Sequence, residues 1–147
     1  MKENKNALLQ HKLVKKLMTT KVKVLPINTP LSVVMECFWT QGINHIPIVE
    51  LSGNIVGMFS TTDALKLFHK EIYNRPIITR KEVDRIKIID NLHSTELKSI
   101  SDTASLTDAK AVMRNNEVNS LLVYRKEELV GILTSEDLKK DYPLETP

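Results

Sequence analysis

The sequence predicts a mixed α/β (α+β) chain in which one small unit is used twice. Short β-branched apolar runs alternate with stretches whose apolar residues recur at helical spacing. The order short strand, helix, strand, hairpin strand, helix can be read over the first half and again over the second. The stretch Gly57-Met58-Phe59-Ser60-Thr61-Thr62-Asp63 also returns 74 residues later as Gly131-Ile132-Leu133-Thr134-Ser135-Glu136-Asp137.

Taken in order, the polar start reads as loose. From Ala7, the leucines Leu9, Leu13 and Leu17 lie one turn apart and predict a short helix to about Met18. Val22, Val24 and Ile27 form an extended piece that Pro26 restricts to a sheet edge. Thr29-Pro30 is a helix start, with threonine as cap and proline at the first helical position. Leu31, Val34, Met35 and Phe38 mark one face of that helix, which ends near Gly42. Ile43 to Val49 reads as a buried strand, Ser52-Gly53-Asn54 as a turn, and Ile55 to Phe59 as the returning strand. The helix after Ser60 carries Leu65, Phe68 and Ile72 on one side, and Pro76 stops it.

Sliding the chain by 75 residues sets Leu17 on Leu92, Thr20 on Thr95, Lys23 on Lys98, Leu31 on Leu106 and Asn44 on Asn119. The second hairpin turn, around Lys126-Glu127-Glu128, is one residue shorter, and the offset beyond it falls to 74. A change confined to a surface turn is what loops tolerate, so the chain is an internal duplication. It divides into residues 8–74 with the N-terminal helix, a connector over 75–88, and residues 89–142, with flexible ends at 1–7 and 143–147. Charges of both signs alternate from His69 to Ile89, the pattern of a solvated connector.

Composition excludes several classes. A chain of 147 residues, 41% apolar and 27% charged, is ordinary for a globular protein. A net charge of +3 is too small for a nucleic-acid footprint. The lone Cys37 excludes an internal disulfide framework and fits a reducing, cytoplasmic setting. No apolar run reaches the ~20 residues of a membrane span. The four histidines stand in no metal-ligand spacing, and no nucleophile motif or phosphate loop occurs, so neither an enzyme nor a metal site is expected.

The repeated stretch is the candidate site. A strand that ends in hydroxyls at a helix N-terminus can hold a phosphate, because orphan N–H groups and the helix dipole point out there. An aspartate three residues inside can accept hydrogen bonds from a sugar diol. The same pattern also serves as a plain helix cap, worth about 0.5–2 kcal/mol. Its duplication is what favours a ligand.

These motifs resemble a tandem pair of CBS domains, named after cystathionine β-synthase. The resemblance runs from Val14-Lys-Lys-Leu-Met-Thr-Thr20 through Gly42-Ile-Asn-His-Ile-Pro-Ile-Val49 to Gly57-Met-Phe-Ser-Thr-Thr-Asp63. It runs again from Asp90-Asn-Leu-His-Ser-Thr95 through Val118-Asn-Ser-Leu-Leu-Val123 to Gly131-Ile-Leu-Thr-Ser-Glu-Asp137. It implies two β-α-β-β-α repeats packed with pseudo-twofold symmetry and adenosyl ligands (AMP, ADP, ATP, S-adenosylmethionine or similar) bound in clefts between the repeats. Carried onto this chain, Asp63 and Asp137 would hold ribose hydroxyls, and Ser60, Thr61, Thr134 and Ser135 phosphate or ribose oxygens. The strands at Asn44, His45, Ile46 and Pro47, and at Asn119, Ser120 and Leu121, would meet the adenine edge. Residues near Thr20 and Val22, and near Thr95 and Leu97, would line the base.

Glu117 and Leu122 stand where the first repeat has Gly42 and Pro47, and Glu136 adds an acid beside the second phosphate position. The Asp63 cleft is therefore expected to be the better one. The resemblance implies a stand-alone regulatory module, with the adenosyl ligand as effector and no catalytic cofactor, that signals to an unknown partner protein. A homodimer is expected, paired through Met35, Phe38, Trp39 and Met113. The alternative is a structural, dimerising module with empty clefts.

Overall fold

The computed structural model describes residues 12–73, 75, 77–92 and 97–141. The chain divides into two compact units, Lys23–Glu96 and Met1–Val22 with Leu97–Pro147. Residues 7–11 of the expected N-terminal helix lie outside the described residues, and over residues 12–18 no α-helix forms. In its place stands one 3-10 turn, Val14–Lys16.

In the first unit, strand β1 (Leu25–Pro26) runs parallel to β2 (His45–Val49), which pairs antiparallel with β3 (Ile55–Ser60). Helix α1 (Leu31–Gln41) lies between β1 and β2 in sequence, and α2 (Thr61–Ile72) follows β3. The partners Leu25/Ile48 and Ile46/Phe59 share a sheet face, and all four are buried with Leu31, Val34 and Cys37 of α1. The sequence reading makes Thr29 the cap of α1. Instead Pro30 takes that position, and Thr29 Oγ1 donates to Pro26 O at 2.6 Å. The first helical N–H is met by the connector, Leu31 N donating to Ile86 O at 2.7 Å, so no capping side chain is required.

Helix α2 also corrects its expected face. Ala64 and Leu67 are buried and Leu65 is 67% exposed. Ser60 caps this helix and sets its phase, which turns Leu65 outward. In α1 and the second unit, Phe38 stacks on Phe59, Met35 packs on the first core and Met113 is buried in the second. Of the four residues expected to pair between chains, Trp39 alone points out, at 89% exposure.

The second unit repeats the plan with β4 (Ser99–Ser101), α4 (Leu106–Asn115), β5 (Ser120–Arg125), β6 (Glu128–Thr134) and α5 (Ser135–Asp141), where α3 (Arg80–Arg85) belongs to the connector. Its registers keep the 75-residue offset: Leu25↔Ile48 corresponds to Ile100↔Val123. The register shift at Ile48/Val49 recurs at Val123/Tyr124. One difference follows from a single residue. Leu122 N donates to Lys98 O at 3.0 Å, whereas Pro47 has no N–H to give, and β1 is a residue shorter than β4.

The repeats in sequence and the units in space are different divisions. Val14, at 0% exposure, packs in the second core, and its N–H donates to Ala104 O at 2.8 Å. Lys15 N donates to Asp102 O, and Thr19 and Ile132 exchange backbone bonds at 2.9 and 3.0 Å. In the first unit the connector plays this part. Ile88 is fully buried, its N–H donates to Thr29 O at 3.4 Å, and Leu92 lies over Gly57 as Met18 lies over Gly131. A Cβ on Gly57 would come within 2.7 Å of the Leu92 side chain, which would have to shift, and one on Gly131 within 2.6 Å of Met18 and 3.0 Å of the Thr19 carbonyl, so the closer constraint is at Gly131. These leading segments match at an offset of 74, Val14 on Ile88 and Met18 on Leu92, rather than at 75 as the sequence comparison sets them. The connector expected to be solvated thus carries core residues.

Helix α4 ends in a Schellman turn, with Val118 N donating to Met113 O and Glu117 N to Arg114 O. Glu117 sits there at φ 54, the left-handed region where Gly42 sits at φ 62 after α1. A side chain in that region costs about 1–2 kcal/mol. Glu117→Gly is expected to stabilise the protein by about 1 kcal/mol in urea unfolding. No gain would mean that the Glu117 side chain makes a compensating contact.

Candidate functional site

In the first unit, β3 delivers Ser60 to the start of α2 in extended backbone, φ −111 and ψ 166. Ser60 Oγ accepts from Asp63 N at 3.1 Å, while Asp63 Oδ2 accepts from both Ser60 N and Ser60 Oγ at 2.9 Å. The capping reading of this motif is therefore realised. It engages one carboxylate oxygen, and among the described residues no group donates to Oδ1.

The neighbouring strand arrives at the same corner. His45 pairs with Ser60 across the sheet, and Thr61 N donates to Asn44 O at 3.0 Å. Asn44, His45, Ser60, Thr61 and Asp63 thus converge, with Asn44 exposed and the other four half-buried. Ile46 and Pro47 are buried in the sheet, so only their backbone could face a ligand.

The second unit builds the same corner. Thr134 N donates to Asp137 Oδ2 at 2.9 Å, Asp137 N donates to Thr134 Oγ1 at 3.2 Å, and Ser135 N donates to Asn119 O at 2.9 Å. Ser120 pairs with Thr134, and Leu121 is fully buried. The corners differ in their hydroxyls. Ser60 spends its proton on Asp63, whereas Thr134 only accepts, which leaves its O–H to donate outward among the described residues. Asp137 is 9% exposed, tighter than half-buried Asp63, and Glu136 beside it is exposed.

The residues expected to line the base are distributed otherwise than chain order implies. Thr20 and Val22 belong to the unit of Asp137, exposed and half-buried respectively. Leu97, half-buried, lies in that unit too, and Thr95 lies outside the described residues. No site residue was expected from the connector. Ile88, 74 positions after Val14, belongs to the first core rather than to the site, a relation that the charge alternation around it masks in sequence.

A duplicated unit of this kind is also found elsewhere. The CBS domain profile matches residues 14–70 and 89–143. The chain belongs to the CBS domain family. A CBS domain-containing protein of Dictyostelium discoideum is 25% identical over 127 residues, covering 86% of this chain and 88% of that protein. Protein SDS23 of Podospora anserina is 27% identical over 116 residues, and the chain spans 22% of its length. Among solved structures, the CBS domain pair of protein MJ0100, in complex with 5′-methylthioadenosine and S-adenosyl-L-methionine, superposes with a TM-score of 0.71 at 19% identity. That match covers 92% of this chain and 98% of the other, and at such identity it is a likeness of fold. No helix among the described residues is long and apolar enough to cross a membrane.

Proposed function

We propose that this CBS domain pair is a regulatory module that binds an adenosyl ligand and signals its occupancy to a partner protein, without catalysing a reaction. One observation carries the reading: in both repeats, a strand–hydroxyl–aspartate corner keeps Oδ1 out of its own helix cap. A carboxylate oxygen held by a capping box beside a strand end is a rigid acceptor for a ribose diol. The adenosyl compounds bound by the CBS pair of protein MJ0100 support the class of ligand. Asp63, Ser60 and Thr61 are the candidate ligand residues of the first unit, and Asp137, Thr134 and Ser135 those of the second. Exposed Trp39 supports a homodimer paired through α1, and a cytoplasmic setting fits the single cysteine.

Signalling requires that the ligand bind two arrangements of the protein with different affinity. A thermal-shift screen against AMP, ADP, ATP, S-adenosylmethionine and 5′-methylthioadenosine tests the reading. At a hundredfold excess over Kd, a true ligand stabilises the native state by about 2.7 kcal/mol. A flat response to every compound would favour a structural, dimerising module, in which both aspartates do nothing but cap their helices.

A further inference from the structure

A polar cavity lies in the first unit, away from the Asp63 corner. It has a volume of about 510 Å³, within the range of small-molecule sites, and opens between the C-terminal end of α2 and the connector helix α3. Lys70 and Glu71 reach it from α2, Arg75 from the segment that follows, Glu82 and Arg85 from α3, and Lys87 from beyond α3. Lysine at a helix C-terminus is common, because the dipole favours it there, and Lys70 alone would mean little. The informative feature is that cations from four successive pieces of chain converge on one cavity.

The acids there are partly committed. Glu82 takes the Thr79 N–H at 2.9 Å in a capping box, and Arg75 stands 3.6 Å from its other oxygen. The Thr79 backbone bond first, then the charges of Arg75 and Arg85, hold the Glu82 carboxyl below its usual range. Lys70 and Arg85 have no hydrogen bond or ion pair among the described residues, and the lining as a whole is cationic.

We propose that this cavity is a second ligand site that takes a small phosphorylated anion of the pyrophosphate class. Lys70 and Arg85 would supply new charge-assisted bonds, and Arg75 a guanidinium that stands beside Glu82 at the same cavity. The site is separate from the adenosyl corner: Asp63 and Lys70 lie about 10 Å apart along the axis of α2. Isothermal titration of the full chain with pyrophosphate tests it. Lys70→Gln and Arg85→Gln are each expected to weaken binding by about tenfold or more, and Lys110→Gln, an exposed cation on α4, to leave it unchanged. S-adenosylmethionine binding is expected to survive Arg85→Gln. No saturable pyrophosphate binding, or equal loss from Lys110→Gln and Arg85→Gln, would overturn the proposal. Pyrophosphate binding without any adenosyl binding would uphold it while removing the adenosyl reading.

Discussion

Asp63→Ala is expected to weaken binding of the adenosyl ligand by about 10- to 150-fold, the loss of roughly 1.5–3 kcal/mol that a hydrogen bond to a charged acceptor supplies. The same substitution removes the carboxylate from the α2 capping box and is expected to lower stability by about 0.5–2 kcal/mol. Those two effects must be separated. Asp63→Asn keeps an oxygen to accept from Ser60 N and loses the charge, so it is expected to retain most stability and still lose affinity. Asp137→Ala is expected to cost affinity less, because Glu136 adds a like charge beside that corner. Titration of both variants with the compound that gives the largest thermal shift provides the comparison. Equal losses would remove the ranking, and unchanged affinity in Asp63→Asn would leave that carboxylate a cap and nothing more.

Ile88→Ala is expected to destabilise the first unit by about 2–5 kcal/mol, the range for truncating a fully buried isoleucine. The residue is 0% exposed and sits in one core with Leu31, Phe59 and Leu67. Its segment reads in sequence as a charged, solvated connector, for which the same change would cost no more than a few tenths of a kcal/mol. Urea unfolding distinguishes the two values readily. A loss below about 1 kcal/mol would mean that the connector does not belong to the first core. Val14→Ala, in the matching position of the second unit, provides an independent check, since Val14 is equally buried.

Much of the strand framework was legible because it rests on local rules. Short β-branched apolar runs and the Ser52-Gly53-Asn54 turn located β2 and β3, and the offsets of 75 before the shorter turn and 74 after it carried their register onto β5 and β6. The Ser60-x-x-Asp63 and Thr134-x-x-Asp137 corners were legible for the same reason, since a capping box spans only three residues. The face of α2 was less so. Phe68 packs on the first core as its spacing implies, but with Ala64 and Leu67 beside it rather than Leu65, and the direction in which β3 enters the helix decides that difference.

By itself the sequence determined that one unit was doubled, where the strands and helices of the repeated unit lie, and which acids stand at the two helix entrances. All of these depend on neighbours within a few residues or on direct comparison of the halves. It did not determine the connector helix α3 or the 3-10 turn at Val14–Lys16. The tertiary structure alone decided which sheet each leading segment covers. Val14 and Ile88 are equally apolar, and periodicity carries no information about which of two similar cores will receive them. In the fold each segment is fixed by long-range backbone bonds that local pattern does not encode, Val14 N–H to Ala104 O in one unit and Ile88 N–H to Thr29 O in the other, with Met18 over Gly131 and Leu92 over Gly57.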